Sequence, residues 1–202
     1  MKDSGYSAIA LDLGTTSIKA GVFDKTGTLN GLVVHQAPAI NADGSRFESD
    51  ALAYAETADS ALNECISMAR NCTAFGMCSQ RSSFLIWEKA TGLPLTPLIS
   101  WQDTRGAASC EALRSHERTI RELTGLPLTP YYFGPKLRVV LLDNPGWLVR
   151  LDSGELHVGT LETFLIWRWT GGRHFVADAS MAARTLLMDI HRPYSANLTP
   201  AG

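Results

Sequence analysis

The sequence predicts one continuous α/β domain. Three apolar segments separated by short polar turns open the chain, Ala8–Leu13, Ile18–Phe23 and Leu29–His35, and this pattern indicates an antiparallel meander of strands. The apolar spacing then changes to three or four residues, which is typical of a helix. Further strand-like and helix-like segments follow without a low-complexity stretch or an obvious linker, so we expect a single fold that mixes both element types.

The first helix is predicted from one run of regularly spaced apolar side chains. Ser49 or Asp50 can cap its start, because a short polar side chain accepts hydrogen bonds from the first free N–H groups. The apolar positions that define its predicted buried face are Leu52, Ala55, Ala58, Leu62, Ile66 and Ala69.

The remaining elements are predicted from apolar runs and turn residues. A buried strand is expected over Cys72–Gln80, and further strands over Ser83–Glu88 and Pro97–Trp101. Helices are expected over Arg105–Ser115, Glu117–Leu123 and Gly134–Leu142, and a last one between a cap at Thr160 and a stop at Gly171–Gly172.

Composition excludes several classes of partner. Eighteen basic and twenty acidic side chains among 202 residues leave a net charge of −2, which argues against a non-specific grip on nucleic acid or an anionic membrane. No apolar run is long enough to cross a bilayer, and the N-terminus lacks the apolar core of a signal peptide. We therefore expect a cytoplasmic protein whose four cysteines are reduced and buried.

The turn between the first two predicted strands, in "LDLGTTSIK", carries groups that suit a phosphate. Gly14 lets the backbone turn sharply, and the N–H and hydroxyl groups of Thr15 and Thr16 can converge on one anionic ligand. Asp12 is a hard oxygen ligand of the kind that Mg²⁺ prefers, and Lys19 can add positive charge. The alternative is an ordinary hairpin turn, because Asp and Gly favour turns anyway.

Five ordered motifs decide between these alternatives. "LDLGTTSIKAGVFD" resembles the phosphate-binding hairpin of the actin-like ATPase/hexokinase superfamily. The motifs "GMCSQRSSFLIWEKATGLPLTPLISWQDTR", "TGLPLTPYYFGPKL", "VGTLETFLIWRWTGG" and "VADASMAARTLLMDI" then resemble, in the same order, the FGGY family of carbohydrate kinases, and its glycerol kinase branch most of all. The resemblance implies that residues 1–202 form an N-terminal ribonuclease H-like domain, a mixed sheet flanked by helices.

The same resemblance implies a function and a division of roles. Family members transfer the γ-phosphoryl group of ATP, with Mg²⁺, to a hydroxyl of a sugar or polyol. Asp12 matches the aspartate that orients Mg²⁺, and Thr15, Thr16 and Lys19 match residues near the ATP phosphates.

Four further residues match the sugar or polyol side of the family's site. Gln80 and Arg81 match a pair that holds substrate hydroxyls, Trp101 an aromatic wall, and Tyr131 a hydrogen-bonding tyrosine. A sugar presents apolar C–H faces and many hydroxyls, so a site of this composition suits it.

Several of these residues also have a structural interpretation. Trp101 could be an ordinary core residue, and Arg81 could pair with Asp103 on the surface. Of the adjacent Tyr131 and Tyr132, only one can face a cleft if the segment is extended.

Other positions are structural or depart from the family pattern. Asp178 is expected to be a helix cap or turn residue, with a place lining the site as the alternative, and Arg105 is expected to be a structural or interdomain residue. Ser82 stands where glycerol kinases carry a glutamate, and Met181 where the pattern has an asparagine, so the substrate could be glycerol, a pentulose, another polyol or a modified sugar.

The family's general base is expected beyond Gly202, as is the second, C-terminal domain that binds the adenine, so the catalytic residue is left unassigned and this chain alone is expected to be inactive. The sequence leaves the oligomeric state undecided, and a homodimer is one alternative. The competing functions are a non-catalytic sugar- or nucleotide-binding module on the same scaffold and a structural or chaperone ATPase; the polyol-side motifs speak against the latter.

Overall fold

A computed structural model describes residues 7–69 and 71–192, and these form two compact units. The described part of the first unit is residues 7–39 with 49–69 and 71–80; that of the second is 40–48 with 81–192. The chain thus passes between the units more than once, a division that the sequence did not predict.

The first unit contains a four-stranded mixed sheet. Its strands are β1 (Ser7–Leu13), β2 (Ser17–Asp24), β3 (Leu29–Gln36) and β6 (Cys72–Ser79), arranged in the order β3-β2-β1-β6. β1, β2 and β3 pair antiparallel, which confirms the predicted meander, and β6 pairs parallel to β1.

Helix α1 (Ala51–Met68) packs against the meander and begins, as predicted, at a polar cap. The Asp50 carboxylate accepts the N–H groups of Leu52 and Ala53. Its buried face differs from the predicted one: Leu52 and Ile66 are exposed, and mostly small side chains form the buried face instead. The buried positions are Ala51, Tyr54, Ala55, Ala58, Ala61 and Cys65.

The Cys72–Gln80 segment forms a strand, as predicted, but the prediction that this strand is buried is wrong. Most of β6 is exposed, because among the described residues it lies at the end of the sheet order and pairs with β1 alone. Cys72 and Cys78 are therefore exposed, whereas Cys65 and Cys110 are buried. The expectation that all the cysteines are buried is thus wrong for two of them.

The second unit contains a five-stranded sheet of short strands. They are β4 (Asn41–Asp43), β5 (Arg46–Ser49), β7 (Phe84–Glu88), β8 (Leu98–Ile99) and β9 (Leu156–Thr160), in the order β4-β5-β8-β7-β9. The β4–β5 hairpin and β9 were not predicted.

Helices of the second unit complete its core. The helices are α2 (Ala107–Ala112), α3 (Glu117–Thr124), α4 (Phe133–Asp143), α5 (Gly146–Asp152), α6 (Leu161–Trp169) and α7 (Ala179–Ala182), with a 3-10 turn at Arg114–His116. One cluster of buried side chains joins strands to α4: Phe84, Ile86, Ile99, Phe133, Val140 and Leu156. Neither α5 nor α7 was predicted, although Asp178 caps α7 as expected. Within residues 7–69 and 71–192, no helix combines the length and apolar character needed to cross a membrane.

Candidate functional site

The turn between β1 and β2 is closed by its own backbone. The N–H of Gly14 donates to the carbonyl of Ser17 at 3.1 Å. A Cβ on Gly14 would lie 2.6 Å from that same oxygen, closer than two such atoms can approach. Glycine is therefore required for this turn to close as it does.

Asp12 and Lys19 lie on the same face of the hairpin. They are directly opposed in the β1–β2 register, and both are exposed. On the neighbouring strand, the Cys78 thiol lies opposite Asp12 and donates to its Oδ1 at 3.4 Å. Partial burial, together with this hydrogen bond to a carboxylate, raises the pKa of the Cys78 thiol.

The groups around Asp12 fit a Mg²⁺ ion that has few protein ligands. Among the described residues, no group of three or more His, Cys, Asp or Glu side chains could hold a metal ion. A metal at Asp12 would therefore take most of its ligands from water and from the phosphates of a nucleotide. Mg²⁺ is commonly bound in this way, through one or two carboxylates.

Two polar side chains support the turn from within the first unit. The Tyr54 hydroxyl, on α1, donates to the carbonyl of Gly14 at 2.7 Å, and burial raises the pKa of this phenol. The Thr15 hydroxyl donates to Oε1 of Gln80 at 3.3 Å, and the Gln80 N–H donates to the carbonyl of Leu13 at 2.9 Å. Gln80, predicted to bind substrate hydroxyls, therefore contacts the hairpin.

Thr16 lies at the outer part of the same turn. It is exposed, and its carbonyl accepts the N–H of Ala37 at 3.0 Å. The structure thus brings Asp12, Gly14, Thr15, Thr16, Lys19 and Gln80 together in the first unit. Tyr54 was missed by the sequence analysis, because a tyrosine on the buried side of a helix does not reveal which oxygen its hydroxyl reaches.

An aromatic pair marks the loops of the second unit. The rings of Trp101 and Tyr131 lie 6.5 Å apart between centroids at an interplanar angle of 31°. Trp101 is 38% exposed and Tyr131 51%, so the interpretation of Trp101 as an ordinary core residue is wrong. Tyr132, in contrast, is buried under the guanidinium of Arg184, as expected if only one of the two tyrosines is presented.

The alternative that Arg81 and Asp103 pair on the surface is also wrong. Arg81 is exposed, whereas Asp103 is completely buried. The Asp103 carboxylate accepts the N–H of Phe47 at 2.8 Å and the guanidinium of Arg105 at 2.6 and 2.9 Å. Arg105 also pairs with Glu48, which confirms that it is a structural residue.

One buried lysine was not singled out from the sequence. Lys136, on α4, has no exposed surface, and its Nζ donates to the carbonyls of Ser82 and Ser100, each at 2.8 Å. Burial lowers its pKa to about 7. A signal was available, since Phe133, Lys136 and Val140 follow helical spacing and a lysine in that row falls on the apolar face.

Comparison with known proteins identifies the family. The model of the N-terminal domain of the FGGY family of carbohydrate kinases matches residues 7–200. The chain belongs to the FGGY family. This FGGY domain is 41% identical over 189 residues to a glycerol kinase of Bordetella pertussis, covering 91% of this chain and 37% of that protein. It is 37% identical over 188 residues to an apulose kinase of Pectobacterium atrosepticum, with 91% and 38% covered.

Solved structures confirm the predicted fold class of this FGGY domain. Plasmodium falciparum glycerol kinase, solved with ADP, superimposes with a TM-score of 0.86 at 25% identity, over 93% of this chain and 38% of that one. Gluconate kinase from Lactobacillus acidophilus superimposes with a TM-score of 0.80 at 22% identity, over 94% and 38%. The chain thus spans less than two fifths of the length of these relatives.

Proposed function

We propose that this chain is the N-terminal domain of an ATP-dependent carbohydrate kinase that phosphorylates a hydroxyl of a sugar or polyol. The observation that carries the proposal is the β1–β2 hairpin, in a chain similar to glycerol and apulose kinases. There, an exposed carboxylate and an exposed ammonium lie opposite each other beside a tight glycine turn. Such an arrangement suits the phosphates of a nucleotide and a hard cation.

In the proposed reaction the substrate hydroxyl oxygen forms a bond to the γ-phosphorus, and the bond from that phosphorus to the β–γ bridging oxygen breaks. The hydroxyl proton passes to a general base that the sequence analysis expects beyond Gly202, and the products are a phosphate ester and ADP. Bound Mg²⁺ would neutralise charge on the phosphates, with Asp12 orienting it through its waters. Thr15, Thr16 and the Gly14 turn would position the phosphates, and Lys19 would offset their charge.

The loops of the second unit would bind the sugar or polyol. Trp101 and Tyr131 present two partly exposed rings, which suit the C–H face of a sugar, and Arg81 is exposed and able to donate to hydroxyls. Gln80, in the first unit, is also proposed to bind a substrate hydroxyl, and its side chain contacts Thr15.

The proposal extends to the rest of the protein. We propose a C-terminal domain that binds adenine, a cytoplasmic location, and a small-molecule substrate with no nucleic-acid or membrane partner. A homodimer is the alternative to a monomer, and sedimentation of the purified protein distinguishes them.

The test is a substrate screen on the longest protein that the gene encodes, with the 202-residue chain beside it. Each is incubated with ATP, Mg²⁺ and glycerol, xylulose, ribulose, apulose or gluconate, and phosphorylated products are identified by mass spectrometry. The longer protein is expected to phosphorylate at least one compound, and the 202-residue chain none. Sugar binding without phosphorylation by the longer protein would instead establish a non-catalytic binding module.

A further inference from the structure

The strands β7 and β8 open into the two loops that carry the predicted substrate residues. Their pairing ends at Phe84 and Ile99, which are opposed in the ladder. On one side the chain continues to Ser82 and Arg81, and on the other to Ser100 and Trp101. Phe84 and Ile99 are the last described pair between β7 and β8, and beyond it the Ser100 N–H donates to the Phe47 carbonyl of β5 at 2.9 Å. Side-chain contacts must therefore join the two strand ends to each other.

Lys136 supplies those contacts. Its Nζ donates to the Ser82 carbonyl and to the Ser100 carbonyl, each at 2.8 Å, so one ammonium joins the two strand ends just beyond the last ladder pair. A second link lies beside it, because the Ser83 hydroxyl accepts the N–H of Trp101 at 2.9 Å. Together these bonds fix the backbone immediately next to Arg81 and at Trp101.

The same lysine connects the loops to the segment that carries the tyrosine. Lys136 lies on α4, which begins at Phe133, directly after Tyr131 and Tyr132. The start of α4 is fixed in turn by the Gly134 N–H, which donates to the Thr185 carbonyl at 2.8 Å. Arg81, Trp101 and Tyr131 therefore all lie within a few residues of atoms that Lys136 holds or of its own helix.

We propose that Lys136 is a positioning residue of the substrate loops, setting the placement of Arg81 and Trp101 relative to Tyr131. It touches no substrate atom itself and acts through the Ser82 and Ser100 carbonyls. The proposal rests on the proposed function for its effect on substrate, but the contacts that carry it are independent of that function.

The chemistry of the buried amine fits this role. Burying a lysine is costly, and here neither bond is to a carboxylate, so the group is not held by an ion pair. Asp103 raises its pKa and Arg105 lowers it, but burial dominates and brings the value to about 7. A neutral amine still carries two N–H donors, one for each carbonyl, so deprotonation leaves both bonds intact.

The test compares Lys136→Met with Val140→Ala. Methionine keeps the length and apolar stem of lysine but removes every donor. Val140 lies one turn further along α4, is 4% exposed and belongs to the core cluster, so its truncation lowers stability while both Lys136 hydrogen bonds stay in place. Comparing the two variants thus separates a general loss of stability from loss of the Lys136 hydrogen bonds to Ser82 and Ser100.

The first readout needs no activity. Amide hydrogen exchange in the peptides covering residues 81–84 and 99–104 is expected to speed up about tenfold or more in Lys136→Met, because the Ser82 and Ser100 carbonyls lose the donor that joins them, and among the described residues Ser100 keeps only the Asp103 N–H at 3.1 Å. In Val140→Ala these peptides are expected to exchange no faster than the rest of the unit. Equal acceleration in the two variants would overturn the proposal.

The second readout is the kinetics of the full-length enzyme. Lys136→Met is expected to raise KM for the sugar or polyol about tenfold while KM for ATP stays within twofold, because the nucleotide residues belong to the first unit. A rise in both constants, or in neither, would contradict a positioning role. The wild-type enzyme could phosphorylate no tested compound while the expected exchange result is still obtained. The proposed function would then be wrong, and the proposal that Lys136 joins the two loops would stand.

Ser83→Ala keeps the proposal testable if Lys136→Met does not fold. It removes the acceptor for the Trp101 N–H and leaves both Lys136 bonds in place. A smaller acceleration of exchange at Trp101, about twofold to fivefold, is expected together with a matching rise in KM for the sugar or polyol. If neither the exchange rate nor the KM changes, the contacts between the two strand ends do not position the loop.

Discussion

The β1–β2 turn is closed by a hydrogen bond within itself, whereas the loops of the second unit are joined by a side chain from another part of the sequence. Gly14 hydrogen-bonds to Ser17 within its own turn, whereas Lys136 reaches carbonyls 54 and 36 residues away in sequence. The predicted phosphate-binding residues therefore lie in one short segment that its own backbone closes, although Tyr54 and Gln80 support it from 40 and 65 residues away. The predicted substrate residues lie in separate segments that only the folded chain brings together. A local motif can be recognised from its own residues, but an assembled one depends on side chains that no short pattern connects.

The largest expected effect is on the local segment. Asp12→Asn should lower turnover of the proposed full-length kinase by about a hundredfold or more, because the carboxylate that would orient Mg²⁺ is lost. The melting temperature should stay the same, since Asp12 is exposed. Steady-state kinetics and thermal melting measure the two quantities.

Asp24→Asn is the matched control, at the other end of β2. Hydrogen bonds from the Thr26 hydroxyl and from the N–H groups of Thr28 and Thr26 lower the pKa of Asp24 to about 2. Its replacement should reduce stability and leave turnover unchanged. Equal losses of turnover in the two variants would remove the special role of Asp12.

The second effect is on the assembled segment. Asp103→Asn should lower the free energy of unfolding by about 3 kcal/mol, because it leaves the buried Arg105 guanidinium without its main partner. Urea denaturation measures this loss. Glu88→Gln is the comparison: Glu88 pairs with Arg150 at 3.0 Å where both side chains are about one-third exposed, and should change stability far less. If the two variants lost similar amounts of stability, burial would not strengthen the contribution of the Asp103–Arg105 pair.

A third, smaller effect tests the turn itself. Gly14→Ala should lower stability by about 1–3 kcal/mol, since the added Cβ would meet the Ser17 carbonyl at 2.6 Å. Gly146→Ala, where a Cβ meets nothing within 4 Å in helix α5, should instead raise stability by up to about 1 kcal/mol. Chemical denaturation of both variants measures these changes. If Gly14→Ala left the free energy of unfolding unchanged, the turn would be able to relax around the added Cβ.

The fourth effect is a pH dependence. The pKa of Lys136 is about 7 in the folded protein, while an unfolded lysine titrates at about 10.4, so between these values the unfolded chain binds the extra proton. Stability should therefore rise with pH from about 7 upward, and this contribution should be missing in Lys136→Met. Unfolding curves at about pH 7 and about pH 9 measure it; parallel changes in both proteins would contradict it.

The sequence predicted most of what is local. The meander, helix α1 and its Asp50 cap, and the helices that became α3, α4 and α6 follow from periodicity and end signals. Burial was predicted less well, because it depends on neighbours: β6 has an apolar sequence but lies at the end of its sheet order. The short elements α5 and β9 lacked a periodic pattern long enough to recognise.

The candidate site divides in the same way. Asp12 and Lys19 were expected to act together and are opposed across the hairpin. The division of the chain into two units and the placement of Gln80 on the hairpin were not predicted, because both depend on packing between residues far apart in sequence. Whether these residues bind nucleotide and sugar stays a prediction.

Ser82 is held by its backbone conformation and by two hydrogen bonds. Its backbone adopts φ +64°, its hydroxyl donates to the Arg184 carbonyl at 2.9 Å, and its own carbonyl accepts from Lys136. A larger side chain there must give up the first contact while keeping a left-handed conformation that most residues resist. Arg81, next to it, is exposed. Substitution at position 82 of this chain is therefore expected to disturb the backbone more than substitution at position 81, although the two residues are adjacent.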